Sequence, residues 1–359
     1  MGKNSITAPV KKKIKTRQVT LGGLKIGGGA PVLVQSMTKT DTRDIRSTIS
    51  QIKRLQAAGC EAVRVAVLNS EAAEAIKAIV RKITIPLIAD VHFDHRLALS
   101  ALKNGADGLR INPGNIGSTR KVREVVSAAK DRGVPIRIGV NAGSLEKDLL
   151  RKYKHPAPKA LVESAGRHIR ILEDLRFRSI KVSLKASDVV KTVEAYRLFS
   201  EQFRYPLHIG ISEAGPAFTG TIKSAVGLGI LLSEGIGDTI RVSLTADPVE
   251  EVKVAYEILQ SLHLRQRGPE LISCPTCGRC QIDIRGIVQK VEGRISRITK
   301  PIRIAVMGCV VNGPGEAREA DVGIAGGKGM GILFKHGKIV KTMKERELFT
   351  SLMNEIKKM

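Results

Sequence analysis

The sequence contains no tryptophan, and only 3% of its 359 residues are aromatic. Proteins that bind single-stranded nucleic acid stack the bases on aromatic rings, so this scarcity argues against such a role. No apolar run reaches the ~18 residues that a membrane span requires. The basic N-terminus also lacks the apolar segment of a secretion signal. We therefore expect a cytoplasmic protein that binds neither nucleic acid nor membrane.

Positive charge is abundant: 60 Lys and Arg stand against 34 Asp and Glu, which leaves a net charge of +26. The charge indicates an anionic partner, an anionic substrate or a broadly basic surface. The basic residues are spread along the chain and are not interleaved with aromatic rings. A basic nucleic-acid-binding protein with a zinc module is nevertheless the alternative to an enzyme, and metal and sulfide analysis would separate the two.

The five cysteines are an odd number, and four of them lie in the C-terminal quarter. This distribution suits a metal site in a reducing compartment better than a secreted disulfide framework. The fifth, Cys60, stands in "AAGCEAVRV", where a helix is followed by a strand. We expect it to be a small buried side chain with a packing role.

One pattern recurs between residues 31 and 265: a short Val/Ile-rich run, then a helical stretch with polar caps. Eight such runs occur, and they begin at Pro31, Ala62, Pro86, Gly108, Pro135, Ser179, Pro206 and Thr239. Alternating strands and helices imply a parallel sheet, and eight units fit a closed (β/α)8 TIM barrel. The alternative, an open doubly wound sheet, is disfavoured because no glycine-rich fingerprint follows the first strand.

Two further segments flank the predicted barrel. Residues 1–30 are predicted to be a basic arm and a hairpin, because "LGGLKIGGGAP" alternates apolar residues with glycines. A polar linker, "RQRGPE", ends at Glu270, and residues 270–359 then predict a small α+β domain that contains the four clustered cysteines.

Polar side chains recur at every second position near the carboxyl ends of the predicted barrel strands, where active sites of this fold lie. They are Arg64, Asp90, His92, Arg110, Asn112, Arg137, Asn141, Lys181, Ser183, Lys185, Arg241 and Ser243. Each cation could extend to water or pair with an acid. Several cations converging with few acids instead predict an anion site, and a di- or polyphosphate suits the charge.

Two residues near the seventh run have open interpretations. Glu213, in "ISEAG", follows that run and could be a salt-bridge partner of the cations or a proton donor. His208, earlier on the same run, is a site residue or a core histidine whose hydrogen bonds are satisfied.

The segment "SCPTCGRCQIDI" places Cys274, Cys277 and Cys280 within seven residues. This is the ferredoxin spacing, with Cys309 as a fourth thiolate, and a structural zinc site is the alternative. The later segment "MGCVVNGPGEAREADVG" favours redox chemistry because its Gly/Pro-rich turn presents Cys309 and, seven residues on, Glu316.

These two cysteine segments together resemble the bacterial 4-hydroxy-3-methylbut-2-enyl diphosphate synthases of the non-mevalonate isoprenoid pathway. The resemblance extends over nearly the whole chain, through "VQSMT", "RINPGNIG", "RIGVNAGSLEKDL", "KVSLKASD", "HIGISEAG" and "LLSEGIGDTIRVSLTADP". It implies a TIM barrel followed by an iron–sulfur domain, without the additional central domain of plant relatives.

The resemblance implies one 4Fe-4S cluster per chain, held by Cys274, Cys277, Cys309 and Glu316. The implied reaction is the two-electron reductive ring opening of 2-C-methylerythritol 2,4-cyclodiphosphate with loss of water. Glu213 would be the acid near the leaving oxygen. The residues that would bind the cyclic diphosphate are Arg64, Arg110, Asn112, Arg137, Asn141, Lys185, Arg241 and Ser243, with Asp90, His92, Lys181 and His208 as further candidates.

The resemblance also implies a flavodoxin or ferredoxin as electron donor. It implies a head-to-tail homodimer as well, in which one chain's cluster domain caps the partner's barrel. Cys280 departs from the family, where other residues stand at its position, so we expect it to be a bystander and not a cluster ligand.

Overall fold

A computed structural model of the chain describes residues 10–296, 298–309 and 318–359. The chain divides into two compact units, Met1–Arg265 and Gln266–Met359. No helix among the described residues is both long enough and apolar enough to cross a membrane.

The first unit begins with a hairpin of strands β1 (Val19–Leu21) and β2 (Leu24–Ile26). Its turn contains Gly22 and Gly23, whose positive φ angles of 50° and 86° favour glycine. The hairpin packs through Val19, Leu21 and Ile26 in a small separate core. A hairpin was predicted for the segment "LGGLKIGGGAP", residues 21–31. The observed hairpin begins two residues earlier and ends at Ile26.

Eight parallel strands follow and form a closed barrel. They are β3 (Leu33–Met37), β4 (Ala62–Ala66), β5 (Leu87–Asp90), β6 (Gly108–Ile111), β7 (Ile136–Asn141), β8 (Ile180–Lys185), β9 (His208–Ile209) and β10 (Thr239–Ile240). Consecutive strands from β3 to β8 pair, β10 pairs with both β3 and β9, and a parallel bridge between Val182 and Leu207 closes the ring. The predicted (β/α)8 barrel is confirmed.

Helices surround this barrel and connect its strands. They are α1 (Ile45–Ala58), α2 (Ser70–Val80), α3 (His95–Lys103), α4 (Pro113–Ile116), α5 (Thr119–Asp131), α6 (Lys147–Tyr153), α7 (Pro158–Asp174), α8 (Val189–Gln202), α9 (Ala217–Ser233) and α10 (Pro248–Ser261). Sequence sets their ends: the Asp44 carboxylate accepts a bond from the Ser47 N–H, and left-handed Gly59 ends α1. Cys60 lies buried in the aliphatic core between the strands and helices, as expected.

The part of the second unit that the structure describes contains a five-stranded mixed sheet and two helices. Its strands, in spatial order, are β11 (Glu270–Ser273), β12 (Arg303–Met307), β13 (Val322–Gly326), β14 (Met330–Lys335) and β15 (Lys338–Lys344). The first three are parallel and the last two antiparallel. Helices α11 (Ile284–Ile295) and α12 (Leu348–Lys358) share an aliphatic core with the sheet. Cys274 directly follows β11 and Cys309 follows β12 after Gly308, so both lie at the carboxyl ends of parallel strands.

Candidate functional site

A polar cavity of about 360 Å³ opens at the carboxyl ends of the barrel strands. Six cationic side chains and three carboxylates line it. Eleven of the predicted residues are among its walls: Arg64, Asp90, His92, Arg110, Arg137, Asn141, Ser183, Lys185, Glu213, Arg241 and Ser243. The period-two pattern therefore identifies most of the side chains that the barrel brings together.

Asp90 neutralises part of the cationic wall. Its carboxylate lies 3.1 Å from Nη1 of Arg110 and 3.4 Å from Nε of Arg64. Burial acts to raise the pKa of Asp90, but the two guanidiniums outweigh burial and the pKa is lowered. One buried carboxylate thus faces two cations.

His92 contacts the same group. Its Nε2 atom lies 2.7 Å from Nη1 of Arg110. Burial, followed by the positive charge of Arg110, lowers the pKa of His92. A neutral imidazole nitrogen can accept a hydrogen bond from the guanidinium N–H, so His92 holds Arg110 in place without adding charge to the cavity.

Arg137 is a buried cation with few compensating contacts. It is 2% exposed, and its Nη1 donates to the Ser183 hydroxyl at 3.3 Å. Its Nε and Nη2 atoms have no hydrogen-bond partner among the described residues. Burial, and then the nearby Arg64 and Arg110 charges, lower its pKa well below the usual value. A buried guanidinium in this state favours binding of an anion strongly.

Lys185 and Arg241 extend this unbalanced region. Burial, followed by the charges of Arg137 and Arg241, lowers the pKa of Lys185 well below its usual value. Burial also lowers the pKa of Arg241, whose Nε has no partner among the described residues. The acids Glu251 and Asp90 act to raise the pKa of Arg241 but do not outweigh burial. The cavity therefore has an acid-paired side near Asp90 and an unbalanced side, where Arg137, Lys185 and Arg241 form no ion pair within 4 Å among the described residues.

Glu213 lies four residues beyond β9 and its side chain is exposed at the cavity. Its backbone φ is 51°, in the left-handed region that a glutamate rarely adopts. Such strain, of the order of 1 kcal/mol or more, concentrates at functional sites. The backbone conformation thus favours a functional role for Glu213 over that of an ordinary solvent-exposed loop residue.

Lys39 and Glu251 also line the cavity, and the sequence reasoning missed them. Lys39 Nζ lies 3.0 Å from Glu251 Oε1 and donates to the Leu244 carbonyl at 2.7 Å. Glu251, 2% exposed on α10, also accepts from the Leu244 N–H at 3.0 Å. Lys39 directly follows the "VQSMT" motif, which was a usable signal, whereas nothing in the helical pattern distinguishes Glu251 from a surface acid.

Three predicted residues are buried but do not line the cavity. Asn112 is 5% exposed, and its Oδ1 has no partner among the described residues. Lys181 is the register neighbour of Arg137, and burial lowers its pKa to about 7. His208 is fully buried, and its Nδ1 lies 2.8 Å from the Thr239 hydroxyl. They belong to the barrel interior.

Two cysteines of the second unit, Cys274 and Cys280, lie beside Gly308, the residue that precedes Cys309. The Gly308 N–H donates to Sγ of Cys274 at 3.2 Å. A Cβ at position 308 would lie 2.6 Å from Sγ of Cys280 and 3.3 Å from Sγ of Cys274. Cys277 is exposed in a turn closed by the Cys280 N–H to Cys277 carbonyl bond of 2.9 Å. Glycine is therefore required beside these sulfurs.

The cysteine side chains have the chemistry that an iron–sulfur cluster requires, and Cys274 also has a suitable position. Thiolates that bind iron–sulfur clusters commonly accept backbone N–H bonds, as Cys274 does here. The described residues nevertheless contain no group of three or more Cys, His, Asp or Glu arranged to hold a metal ion. Glu316, the predicted fourth ligand, lies outside the described residues.

Comparison with protein families gives two matches that together cover most of the chain. The model described as "GcpE TIM-barrel domain" matches residues 16–256, and "GcpE protein C-terminal domain" matches residues 270–358.

Curated relatives match over almost the full length. A protein of Thermodesulfovibrio yellowstonii named "4-hydroxy-3-methylbut-2-en-1-yl diphosphate synthase (flavodoxin)" is 63% identical, covering 97% of this chain and 99% of its own. A Geobacter sulfurreducens protein of the same name is 62% identical, covering 96% and 98%. Among solved structures, the dihydropteroate synthase of Yersinia pestis covers 69% of this chain and 99% of its own, with a TM-score of 0.51 at 14% identity. That likeness supports the barrel fold alone.

Proposed function

The chain belongs to the GcpE family of 4-hydroxy-3-methylbut-2-en-1-yl diphosphate synthases, and from this premise we propose how its barrel and its cysteine domain carry out the reaction. The enzyme opens the ring of 2-C-methyl-D-erythritol 2,4-cyclodiphosphate reductively and forms (E)-4-hydroxy-3-methylbut-2-enyl diphosphate. Enzymes of this family are iron–sulfur proteins. In our proposal the barrel provides the residues that bind the substrate, and the second unit provides those that bind the cluster.

The barrel cavity binds the cyclic diphosphate. The observation that carries this proposal is the unbalanced side of the cavity, where buried N–H groups of Arg137 and Arg241 have no partner among the described residues. Phosphate oxygens accept such bonds and neutralise such charges. Arg137, Lys185 and Arg241 hold the diphosphate, while Arg64 and Arg110, fixed by Asp90, bind its other edge. Asn141 and Ser243 supply neutral donors, and Asn112 supports them from the barrel interior.

The chemistry requires two electrons and one proton for each substrate. A C–O bond to the diphosphate and a C–O bond to a hydroxyl break, a C=C bond forms, and the hydroxyl leaves as water after taking up the proton. Glu213 donates that proton, because it is the exposed carboxyl at the cavity and its constrained backbone fixes its position. Hydroxide is a poor leaving group, so this proton lowers the barrier directly.

Cys274, Cys277, Cys309 and Glu316 hold one 4Fe-4S cluster, which supplies the two electrons when bound. The Gly308 N–H bond to Cys274 and the position of both cysteine loops at the end of β11 and β12 support this set. Cys280 stays a bystander in this proposal, although its sulfur also lies beside Gly308.

A flavodoxin donates the electrons, as the names of the relatives state for those proteins. The net charge of +26 favours an acidic donor. Two chains form a head-to-tail homodimer in which each cluster domain serves the partner's barrel. Mixing Arg241→Ala chains with Cys309→Ser chains should then restore activity, since one composite site is intact. Inactivity after verified subunit exchange would contradict the shared site.

The decisive experiment combines metal analysis with substrate binding on anaerobically purified protein. Four iron and four sulfide per chain, calorimetric binding of the cyclic diphosphate, and turnover with dithionite-reduced methyl viologen are expected. Stoichiometric zinc, or protein that binds nucleic acid but not the cyclic diphosphate, would overturn the proposal in favour of the basic zinc-module alternative.

A further inference from the structure

A buried histidine lies behind the cavity, on helix α7. His168 is 2% exposed, and its Nε2 lies 3.1 Å from Oε1 of Glu146, which also accepts from the Ser164 hydroxyl at 3.1 Å. Burial acts to raise the pKa of Glu146, but the bond to His168, a backbone N–H bond and the Ser164 bond outweigh it and lower the pKa to about 2. Glu146 is therefore an ionised carboxylate held from inside the protein.

The imidazole contacts Glu146 and Gly114, which belong to the segments that follow the neighbouring strands β7 and β6. Glu146 ends the segment after β7, and that strand finishes with Asn141. The same Nε2 edge of the imidazole faces Gly114, in the short helix α4 after β6, so closely that a Cβ there would lie 2.6 Å from His168 Nε2. Asn112 directly precedes this helix. One side chain thus touches both loops that carry the asparagines of the site.

The loop after β7 also fixes a cavity cation. With its amide oxygen directed inward, Asn141 accepts a bond of 3.1 Å from Nη2 of Arg110. A shift of the β7 loop would therefore move Asn141 and release one contact of Arg110. Small displacements of this kind reduce binding strongly, because substrate contacts depend on geometry within about an ångström.

We propose that His168 is a positioning residue for the substrate site: bridging Glu146 and Gly114, it sets the places of the loops that carry Asn112 and Asn141. The inference rests on the proposed binding of the cyclic diphosphate in the cavity. His168 touches no substrate itself, and neither the resemblance nor the strand pattern singles it out.

The first test compares His168→Ala with His168→Gln. Glutamine places a donor nitrogen near the position of Nε2 and should keep the Glu146 bond, whereas alanine removes it. We expect His168→Ala to raise the KM and the calorimetric Kd for the cyclic diphosphate about tenfold, with kcat changed less than threefold. His168→Gln should recover most of this loss. Iron content and the optical spectrum should match the wild type in both.

A matched control separates positioning from general destabilisation. Tyr256→Phe removes a buried hydroxyl that donates to the Gly59 carbonyl at 2.8 Å, at the opposite end of the barrel. It should lower the melting temperature comparably and leave Kd unchanged. If His168→Ala and Tyr256→Phe have equal Kd values at equal loss of stability, the imidazole is structural only and the inference fails.

The second test uses the contact with Gly114. Gly114→Ala forces a methyl group against the imidazole, so it should weaken binding as His168→Ala does. In the double variant the methyl group has space, and binding should be no weaker than in His168→Ala alone. Multiplicative losses would show that the two positions act independently and would overturn the inference. Failure of the wild-type protein to bind the cyclic diphosphate would instead refute the proposed function.

Discussion

Replacement of Arg137 by methionine should have opposite effects on stability and on activity. Methionine fills a similar volume without charge, so the core is not opened. The guanidinium is 2% exposed, has two nitrogens without partners among the described residues, and lies near the cations Arg64 and Arg110. Its removal relieves desolvation and repulsion in the free enzyme but deletes bonds to the substrate.

The magnitudes follow from these contacts. A hydrogen bond to a charged group contributes about 1.5–3 kcal/mol, so loss of two phosphate contacts should reduce kcat/KM at least about a hundredfold. Replacement of a buried unpaired charge by an apolar side chain commonly stabilises by about 1–2 kcal/mol. In a unit of this size that corresponds to a melting temperature roughly 2–6 °C higher.

The assay is steady-state turnover with a small-molecule reductant, together with calorimetric melting with and without substrate. The wild-type protein should gain stability from the cyclic diphosphate, and Arg137→Met should gain far less. Arg96→Met is the matched control, because Arg96 is exposed and pairs only with Asp94 at 2.8 Å among the described residues. A variant that melts lower than the wild type and turns over normally would refute the description of Arg137 as an unbalanced, substrate-binding cation.

Two further predictions concern the barrel interior. Burial lowers the pKa of Lys181 to about 7. Between pH 7 and about 10 the Lys181 amine is therefore protonated in the unfolded chain but neutral in the folded one, so its cost to the stability of the fold grows as the pH falls. Lys181→Met should therefore raise the melting temperature most near pH 6.5 and progressively less toward pH 9.5; a constant difference would contradict a depressed pKa. Gly139→Ala would place a Cβ 2.4 Å from Arg110 Nε, so KM should rise about tenfold with an unchanged cluster spectrum; an unchanged KM would show that Arg110 does not bind substrate.

The barrel could be predicted because its signals are local. Each strand run and each helix carries its own apolar period, and period two alone places Lys181, Ser183 and Lys185 on one face of β8. The depth at which each of these side chains lies in the barrel could not be predicted in this way. Lys185 lines the cavity and Lys181 does not. Strand tilt and barrel closure determine which layer of the barrel interior a side chain occupies, and neither can be predicted from the sequence of a single strand.

Residues that reach the cavity from outside the strands were harder to predict for the same reason. Glu251 is on the last helix of the barrel, and it reaches Lys39 only because β10 pairs with β3 and closes the ring. His168 likewise acts through loops that follow β6 and β7. The contacts of Glu251 and His168 join parts of the chain that are far apart in sequence. The strand pattern therefore identified most cations and their strand-borne partners Asp90 and His92, but not the residues that reach them from helices.

The choice among the cysteines is the point where spacing and chemistry diverge. Spacing alone favours Cys274, Cys277 and Cys280 as a ferredoxin triplet, and the Cys280 sulfur does lie beside Gly308. A reaction that removes a hydroxyl is better served by three thiolates and a displaceable carboxylate than by four thiolates, which close the coordination. Cys280→Ser should therefore keep four iron per chain and near-normal turnover, while Cys277→Ser should lose the cluster. Loss of iron in Cys280→Ser together with an unaffected Glu316→Gln would require the all-cysteine set.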